Sequence, residues 1–146
     1  MSPSDSTRDS TLDLAGFFGA DPGWTQTFAV FIPDTDRDRQ PIPDYPGWVT
    51  AAMTLLRDIN GGVTALAEAE GQWRNRADGV VVEERTRIVF SYIDNEPFVQ
   101  RLAELREFLY RFGRETRQDT VAFEFDNHLF FIPRDRYDPH LPGDPP

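Results

Sequence analysis

The sequence predicts a single α+β domain with the ferredoxin-like order βαββαβ, an antiparallel sheet that carries two helices on one face. The hydrophobic period switches between that of strands and that of helices in the order strand, helix, strand, strand, helix, strand. Turn and stop signals separate these segments. A length of 146 residues fits one domain. We place it at residues 25–133, between a mobile N-terminal arm (1–24) and a Pro-rich C-terminal tail (134–146).

The first strand and the first helix have clear ends. Residues 27–32 alternate between two faces, and Pro33 closes the strand. Residues 48–59 carry apolar side chains at helical spacing, and Asn60-Gly61-Gly62 is a strong stop signal. The first βα unit therefore spans residues 27–59.

A hairpin is predicted next. Residues 63–73 return to alternation, and residues 80–93 are rich in β-branched side chains, which favour strands. Residues 75–79 supply turn chemistry between the two segments.

The last part of the domain contains a second helix and a final strand or hairpin. Asp94 is a candidate cap for a helix whose apolar stripe runs through residues 98–112. Two apolar runs, 120–125 and 129–132, flank Asp126-Asn127-His128. This pattern is typical of a tight hairpin or of one strand with a bulge.

Composition and charge exclude several functions. The 25 acidic and 15 basic residues give a net charge of -10, which disfavours nucleic acid or an anionic membrane as the main partner. All the basic residues are arginine and cysteine is absent, so lysine and thiol chemistry are impossible. No leader-like or membrane-spanning apolar run is present, so we expect a cytoplasmic protein, and we predict no cofactor.

Alternating acids after the first strand are the strongest hint of a metal site. Asp34, Asp36 and Asp38 resemble the start of a calcium-binding loop. Arg39 stands where such a loop needs glycine, and Tyr45 stands where it needs a bidentate glutamate. We therefore favour a solvated, self-paired charged loop and keep weak calcium binding as an alternative.

A carboxylate on the mainly apolar face of the third strand suggests a different site. Glu84 falls on that face, and burial there would raise its pKa and suit it to acid or base catalysis. Trp73 and Tyr92 could wall a pocket around it, with Arg74 or Arg114 holding an anion. An ion pair between Glu84 and one of these arginines is the simpler interpretation, and we favour it.

The predicted hairpin also resembles a bacterial family of small proteins that carry a domain of unknown function. That family has a Gly, a Thr and an aliphatic residue, then Gly-Gln-Trp-Arg, a turn, and an aliphatic run ending in Glu, Arg and Ser or Thr. The resemblance covers about a fifth of the chain and implies a shared α+β domain without implying an activity. The matching positions are Gly62, Thr64, Leu66, Gly71, Gln72, Trp73, Arg74, Glu84, Arg85 and Thr86.

Taken together, the sequence favours a non-catalytic interaction or regulatory domain. No catalytic constellation is visible, and Phe17, Phe18 and Tyr137 lie in the predicted flanks, where they could dock on the domain or on a partner. A homodimer is the simplest version of this hypothesis. The alternatives are a small enzyme or ligand-binding domain around Trp73, Glu84 and Tyr92, and the calcium-binding domain.

Overall fold

A computed structural model describes residues 13–138 and confirms an α+β fold. The described residues form six strands and four α-helices. In chain order these are α1 (Leu14–Phe18), β1 (Thr27–Pro33), α2 (Tyr45–Asn60), β2 (Thr64–Ala65), β3 (Ala69–Arg74), β4 (Val81–Tyr92), α3 (Asn95–Gln100), α4 (Leu102–Glu115), β5 (Thr120–Phe125) and β6 (His128–Pro133), followed by a 3-10 turn at Arg134–Arg136.

The six strands form one antiparallel sheet in the order β2-β4-β1-β5-β6, with β3 also paired to β4. The long strand β4 pairs along one edge with β1 and along the other with both β2 and β3. The segment that alternation predicts as one strand at 63–73 is therefore two short strands. The hairpin between β3 and β4 is present in the predicted place, and it turns through residues 75–80.

The β5–β6 connection settles the choice between a hairpin and a bulged strand. Asp126 and Asn127 both have positive φ, at 51° and 67°, as a two-residue hairpin turn with the right twist requires. Phe125 pairs with His128 directly across this turn. The chain therefore gains a sixth strand at the sheet edge.

Both long helices pack on one face of the sheet. Their buried side chains join those of β1, β4 and β5 in a single apolar cluster. α2 starts at Tyr45, three residues earlier than predicted, because Asp44 accepts a hydrogen bond from Gly47 N (3.3 Å) and Pro46 fits the first turn. Central members of the cluster are Val30, Ile32, Ala52, Leu56, Val89, Leu109, Phe112 and Val121.

The second predicted helix is interrupted. α3 and α4 are separated by Arg101, whose φ of -111° and ψ of 17° are not helical. The break changes the direction in which the side chains after Arg101 point. Leu102 is therefore exposed, while Phe98 and Leu105 are buried. The predicted stripe through Leu102 is wrong at that residue.

The opposite sheet face is apolar and open to solvent. The pairing register places Leu66, Tyr92, Leu129 and Phe131 on this face, and all four side chains are exposed. None of the four described helices is long and apolar enough to cross a membrane.

The two predicted flanks behave differently. Phe17 and Phe18 of α1 are 82% and 72% exposed, so they do not dock on their own domain. Tyr137, predicted to lie in a flexible tail, belongs to the core: it is buried and its ring lies against Gly113. The rest of the predicted arm and tail, residues 1–12 and 139–146, lies outside the described residues.

Candidate functional site

A cavity of about 340 Å³ lies where the loop after β1 meets the β3–β4 hairpin. This volume is in the range of small-molecule sites. Polar and charged side chains dominate the lining, which consists of Asp34, Thr35, Glu70, Gly71, Gln72, Glu83, Glu84 and Arg85. We refer to it as the acidic cleft.

Asp34 brings the loop to the hairpin by extending the pairing of β1 with β4. Its backbone N donates to the Arg85 carbonyl at 2.8 Å, and its Oδ1 accepts from Arg85 N at 3.1 Å. The Asp34 carbonyl accepts from Ile42 N at 2.9 Å, which closes the loop on itself. One residue therefore fixes both the start and the return of the loop at residues 34–42.

Glu84 is the half-buried carboxylate of the cleft, opposite Gly71 in the hairpin register. Burial raises the pKa of Glu84, and the negative charge of Asp34 raises it further. Hydrogen bonding by the side chains of Trp73 and Thr35 lowers the pKa of Glu84 and opposes part of this rise. Glu84 thus holds its proton to a higher pH than an exposed glutamate does.

The cleft carries an excess of negative charge. Its lining contains four carboxylates and one guanidinium, and that guanidinium, of Arg85, lies 3.4 Å from the Glu68 carboxylate. Gln72 Nε2 donates to Glu83 Oε1 at 3.1 Å and leaves the glutamate charge in place. A cleft with this charge balance attracts cationic ligands.

Tyr45, the first residue of α2, lies close enough to Asp34 and Glu68 to feel their negative charges, although it does not line the cleft. Burial raises the pKa of Tyr45 to about 12, with further contributions from the charges of Glu68 and Asp34. Tyr45 therefore remains a neutral phenol at physiological pH.

The structure brings together only part of the predicted pocket. Trp73 contacts Glu84 as the hairpin register predicts. Tyr92 lies eight residues further along β4, about 26 Å away at 3.3 Å per residue. Arg74 is exposed at the end of β3, and Arg114 lies on α4 with a glutamate of the same helix at 4.0 Å. Trp73, Tyr92, Arg74 and Arg114 do not line the cleft, so Glu84 is the residue of the predicted pocket that does.

The alternating aspartates do not converge on one point. Asp36 Oδ1 accepts from the backbone N of Asp38 (2.8 Å) and of Gln40 (3.0 Å), while Asp38 Oδ2 lies 2.6 Å from Arg117 Nη2. Asp34 is bound to the backbone of β4. Within residues 13–138, no group of three acidic or histidine side chains is placed to hold a metal ion. The calcium alternative is therefore corrected to a loop that is tied by its own hydrogen bonds and ion pair.

A second cavity of about 320 Å³ lies between the start of α2 and the end of α4. Its main groups contact one another: the Arg111 guanidinium lies 5.3 Å from the centre of the Trp48 ring, and its Nε is 2.9 Å from Glu115 Oε2. These contacts satisfy the arginine, so the acidic cleft is the stronger candidate.

Sequence reasoning missed Thr35, Glu70 and Glu83. The hairpin register could have placed Glu70 and Glu83 on the same part of the hairpin as Glu84, with their side chains on the other face of the ladder. It could not have placed Thr35, since nothing local indicates that the loop folds back on the hairpin.

Fold and cleft together define a small α+β protein with an acidic cleft. The sequence matches no known family model and no curated protein. The fold is similar to two solved structures of a phage SAM lyase. The structure in complex with S-methyl-5'-thioadenosine has a TM-score of 0.53 and 12% identity, covering 77% of this chain and 92% of the lyase chain. The structure in the apo state gives 0.50 and 12%, covering 77% and 91%.

This similarity corrects the predicted function. The expectation of a non-catalytic interaction domain is wrong, because the similar fold is that of an enzyme. The comparison favours the alternative of a small enzyme or ligand-binding domain. Of the residues predicted for its pocket, Glu84 lines the cleft, whereas Trp73 and Tyr92 do not. The resemblance of the hairpin to a bacterial family stays a prediction.

Proposed function

We propose that this protein is a small enzyme whose acidic cleft binds and cleaves a sulfonium nucleoside of the S-adenosylmethionine type. The observation that carries the proposal is the half-buried Glu84 in a cleft with four carboxylates and one arginine. A sulfonium ion carries a permanent positive charge, which such a cleft attracts. The fold similarity to phage SAM lyase supports the same substrate class.

The chemistry can be written from the substrate and the thioadenosine product. Converting S-adenosylmethionine to S-methyl-5'-thioadenosine breaks the bond between sulfur and the four-carbon amino acid chain, and the electron pair of that bond stays on sulfur. The four-carbon fragment of the substrate then forms a new bond at the carbon that leaves sulfur, in one of two ways. It loses a proton from the neighbouring carbon and forms a double bond, or its own carboxylate attacks the carbon that leaves sulfur and closes a ring.

Glu84 must be ionised in both routes. In the elimination it accepts the proton, and in the ring closure its charge offsets that of the bound cation. Trp73, which is 44% exposed, presents an aromatic face next to this carboxylate and suits a cation or a nucleobase. Thr35 and the Trp73 indole keep the carboxylate in place.

The direct test is to incubate the purified protein with S-adenosylmethionine and to follow products by mass spectrometry. We expect S-methyl-5'-thioadenosine and one four-carbon product, an unsaturated amino acid for elimination or a lactone for closure. Glu84→Gln is expected to abolish both products. Glu107→Gln, an exposed glutamate on α4 outside the cleft, is the matched control and is expected to keep them. A wild-type protein that neither turns over nor binds the substrate in calorimetry would contradict the proposal.

The ferredoxin-like arrangement is also retained as a proposal. In its support, β1 lies between β4 and β5, and β4 lies between β1 and the β2 and β3 segments, all antiparallel. β6 is then an addition at the edge of the sheet.

Assembly of the enzyme from copies of this chain is proposed on separate grounds. The exposed aromatic residues of α1, Phe17 and Phe18, and the open sheet face with Tyr92 and Phe131 are apolar surfaces without a partner in the described residues. Light scattering on wild type and on the Phe17→Ser/Phe18→Ser double variant tests this. A monomeric wild type contradicts it.

A further inference from the structure

The loop that carries Thr35 into the acidic cleft is held from behind by a buried glutamine. Gln118, on the connection between α4 and β5, is only 6% exposed. Its Nε2 donates to the Thr35 carbonyl at 3.1 Å and to Thr116 Oγ1 at 3.1 Å. The backbone of Thr35 is therefore anchored to a residue 83 positions further along the chain.

Gln118 is itself fixed by buried groups. Its carbonyl accepts from the Tyr137 hydroxyl at 2.7 Å, and its backbone N donates to the Gly113 carbonyl at 2.9 Å. Thr116 Oγ1 donates to the Phe112 carbonyl at 2.6 Å, which orients this hydroxyl toward Gln118 as an acceptor. A buried network in which each polar group has a partner is rigid and specifies one geometry.

A second set of contacts to the same loop lies on the surface. Arg37 N donates to the Arg117 carbonyl at 3.0 Å, and Arg117 Nη2 lies 2.6 Å from Asp38 Oδ2. Both side chains of that ion pair are more than half exposed, so solvent screens it and it fixes the loop weakly. Gln118 is the buried side chain that contacts the loop directly beneath the cleft.

We propose that Gln118 is a positioning residue of the cleft, which acts by fixing the backbone of Thr35 where this residue lines the cleft together with Glu84. The catalytic importance of Gln118 rests on the proposed function. Its effect on Glu84 can be measured without any substrate.

The charges around Glu84 make this measurement interpretable. The charged groups that line the cleft with Glu84 are Asp34 from the loop and Glu70, Glu83 and Arg85 from the hairpin. Gln118 is neutral, so its replacement changes none of these charges. Asp34 keeps its own bonds to the Arg85 backbone. A change in the titration of Glu84 then reports the loss of the Thr35 donor.

The experiment is a double-mutant cycle between Gln118→Met and Thr35→Val, with the Glu84 carboxyl carbon titrated by NMR. Methionine fills the volume of glutamine without a donor, and valine removes only the Thr35 hydroxyl. Each single variant is expected to raise the pKa of Glu84, because a hydrogen bond to the charged form is lost. The double variant is expected to shift it no further than either single variant, since both act through one bond.

A matched control and a second variant complete the test. Gln100→Ala removes an exposed glutamine on α3, bonded to Glu96 at 3.4 Å, and is expected to leave the titration unchanged. Gln118→Ala repeats the measurement if the methionine variant does not fold. With substrate, each Gln118 variant is expected to lose roughly tenfold or more in kcat/KM, as displaced catalytic groups do.

An unchanged Glu84 titration in a folded Gln118 variant would overturn the proposal, and so would shifts that add in the double variant. If wild type shows no activity but the cycle is non-additive, the proposed function fails and the positioning role stands.

Discussion

The Trp73 indole and the Glu84 carboxylate lie on one face of the β3–β4 hairpin. Trp73 pairs with Val82 and Glu84 pairs with Gly71, so the two side chains are diagonal neighbours across the ladder. The missing side chain at Gly71 leaves the space opposite Glu84 open. The tryptophan can therefore orient the carboxylate without covering it.

Replacing Glu84 by glutamine should abolish turnover. The amide keeps the size and an acceptor oxygen, but it neither accepts a proton nor carries charge. We expect kcat/KM for S-adenosylmethionine to fall at least about a hundredfold, the usual size of such a loss. Thioadenosine formation measured by mass spectrometry checks this. Turnover close to that of wild type would exclude a role for Glu84.

The same variant should be more stable than wild type at neutral pH. The pKa of Glu84 is raised by folding, so the folded state binds this proton more tightly than the unfolded state. The contribution of Glu84 to the free energy of unfolding is largest at low pH. It is lost as the pH rises through the pKa of the unfolded state and then through that of the folded state. Glutamine does not ionise, so the Glu84→Gln variant does not lose stability in this way. We therefore expect its Tm at neutral pH to be higher than that of wild type by on the order of 1 to 3 °C. The gain should vanish in parallel calorimetric scans below the ordinary pKa of a glutamate.

The acid limb of the kcat/KM profile should lie at a higher pH than the pKa of an ordinary glutamate would give. In the proposed reaction Glu84 is ionised, and burial together with the charge of Asp34 raises its pKa. Asp34→Asn removes the charge and keeps an oxygen that can accept from Arg85 N, so we expect the acid limb of the kcat/KM profile to move to lower pH. Trp73→Phe removes a donor and should move the limb to higher pH. Equal profiles for the two variants would contradict this assignment.

Gly113→Ala should destabilise the fold severely for a single methyl group. A Cβ at Gly113 would lie 2.6 Å from the Tyr137 ring and 2.8 Å from Val121 Cγ2, both in the core. We expect a loss of about 1 to 3 kcal/mol in the free energy of unfolding. Gly62→Ala is the control, since a Cβ at Gly62 would meet nothing within 4 Å and the φ of Gly62 is not positive. Urea unfolding of both variants measures the difference.

Local signals in the sequence predict the elements well. Alternation in residues 27–32, the stop at Gly61 and the hairpin turn at 75–79 each depend on side chains close in the chain. The same logic places Trp73 beside Glu84 once the turn fixes the register. The helix break at Arg101 escaped prediction because the apolar spacing continues through Leu102.

The rest of the site depends on contacts between distant residues. Thr35 lines the cleft because Asp34 pairs with Arg85, 51 residues away, and because the Thr35 carbonyl accepts a hydrogen bond from Gln118, 83 residues away. Hydrophobic period carries no information on such polar contacts. The prolines of residues 134–146 predict a free tail, yet Tyr137, the residue after the 3-10 turn, is buried. Local rules could not show this.

Tyr137 does not line the acidic cleft, but it supports the cleft through Gln118, so proteolysis that removes Tyr137 would affect the cleft. Proteolysis after residue 133 would leave all cleft-lining residues in the chain, but it would remove the hydroxyl that donates to the Gln118 carbonyl and the ring that packs on Gly113. The fragment would keep its sheet and lose the support beneath Thr35. A protease acting at the exposed end of β6 would thus disturb the acidic cleft without contacting any residue that lines it.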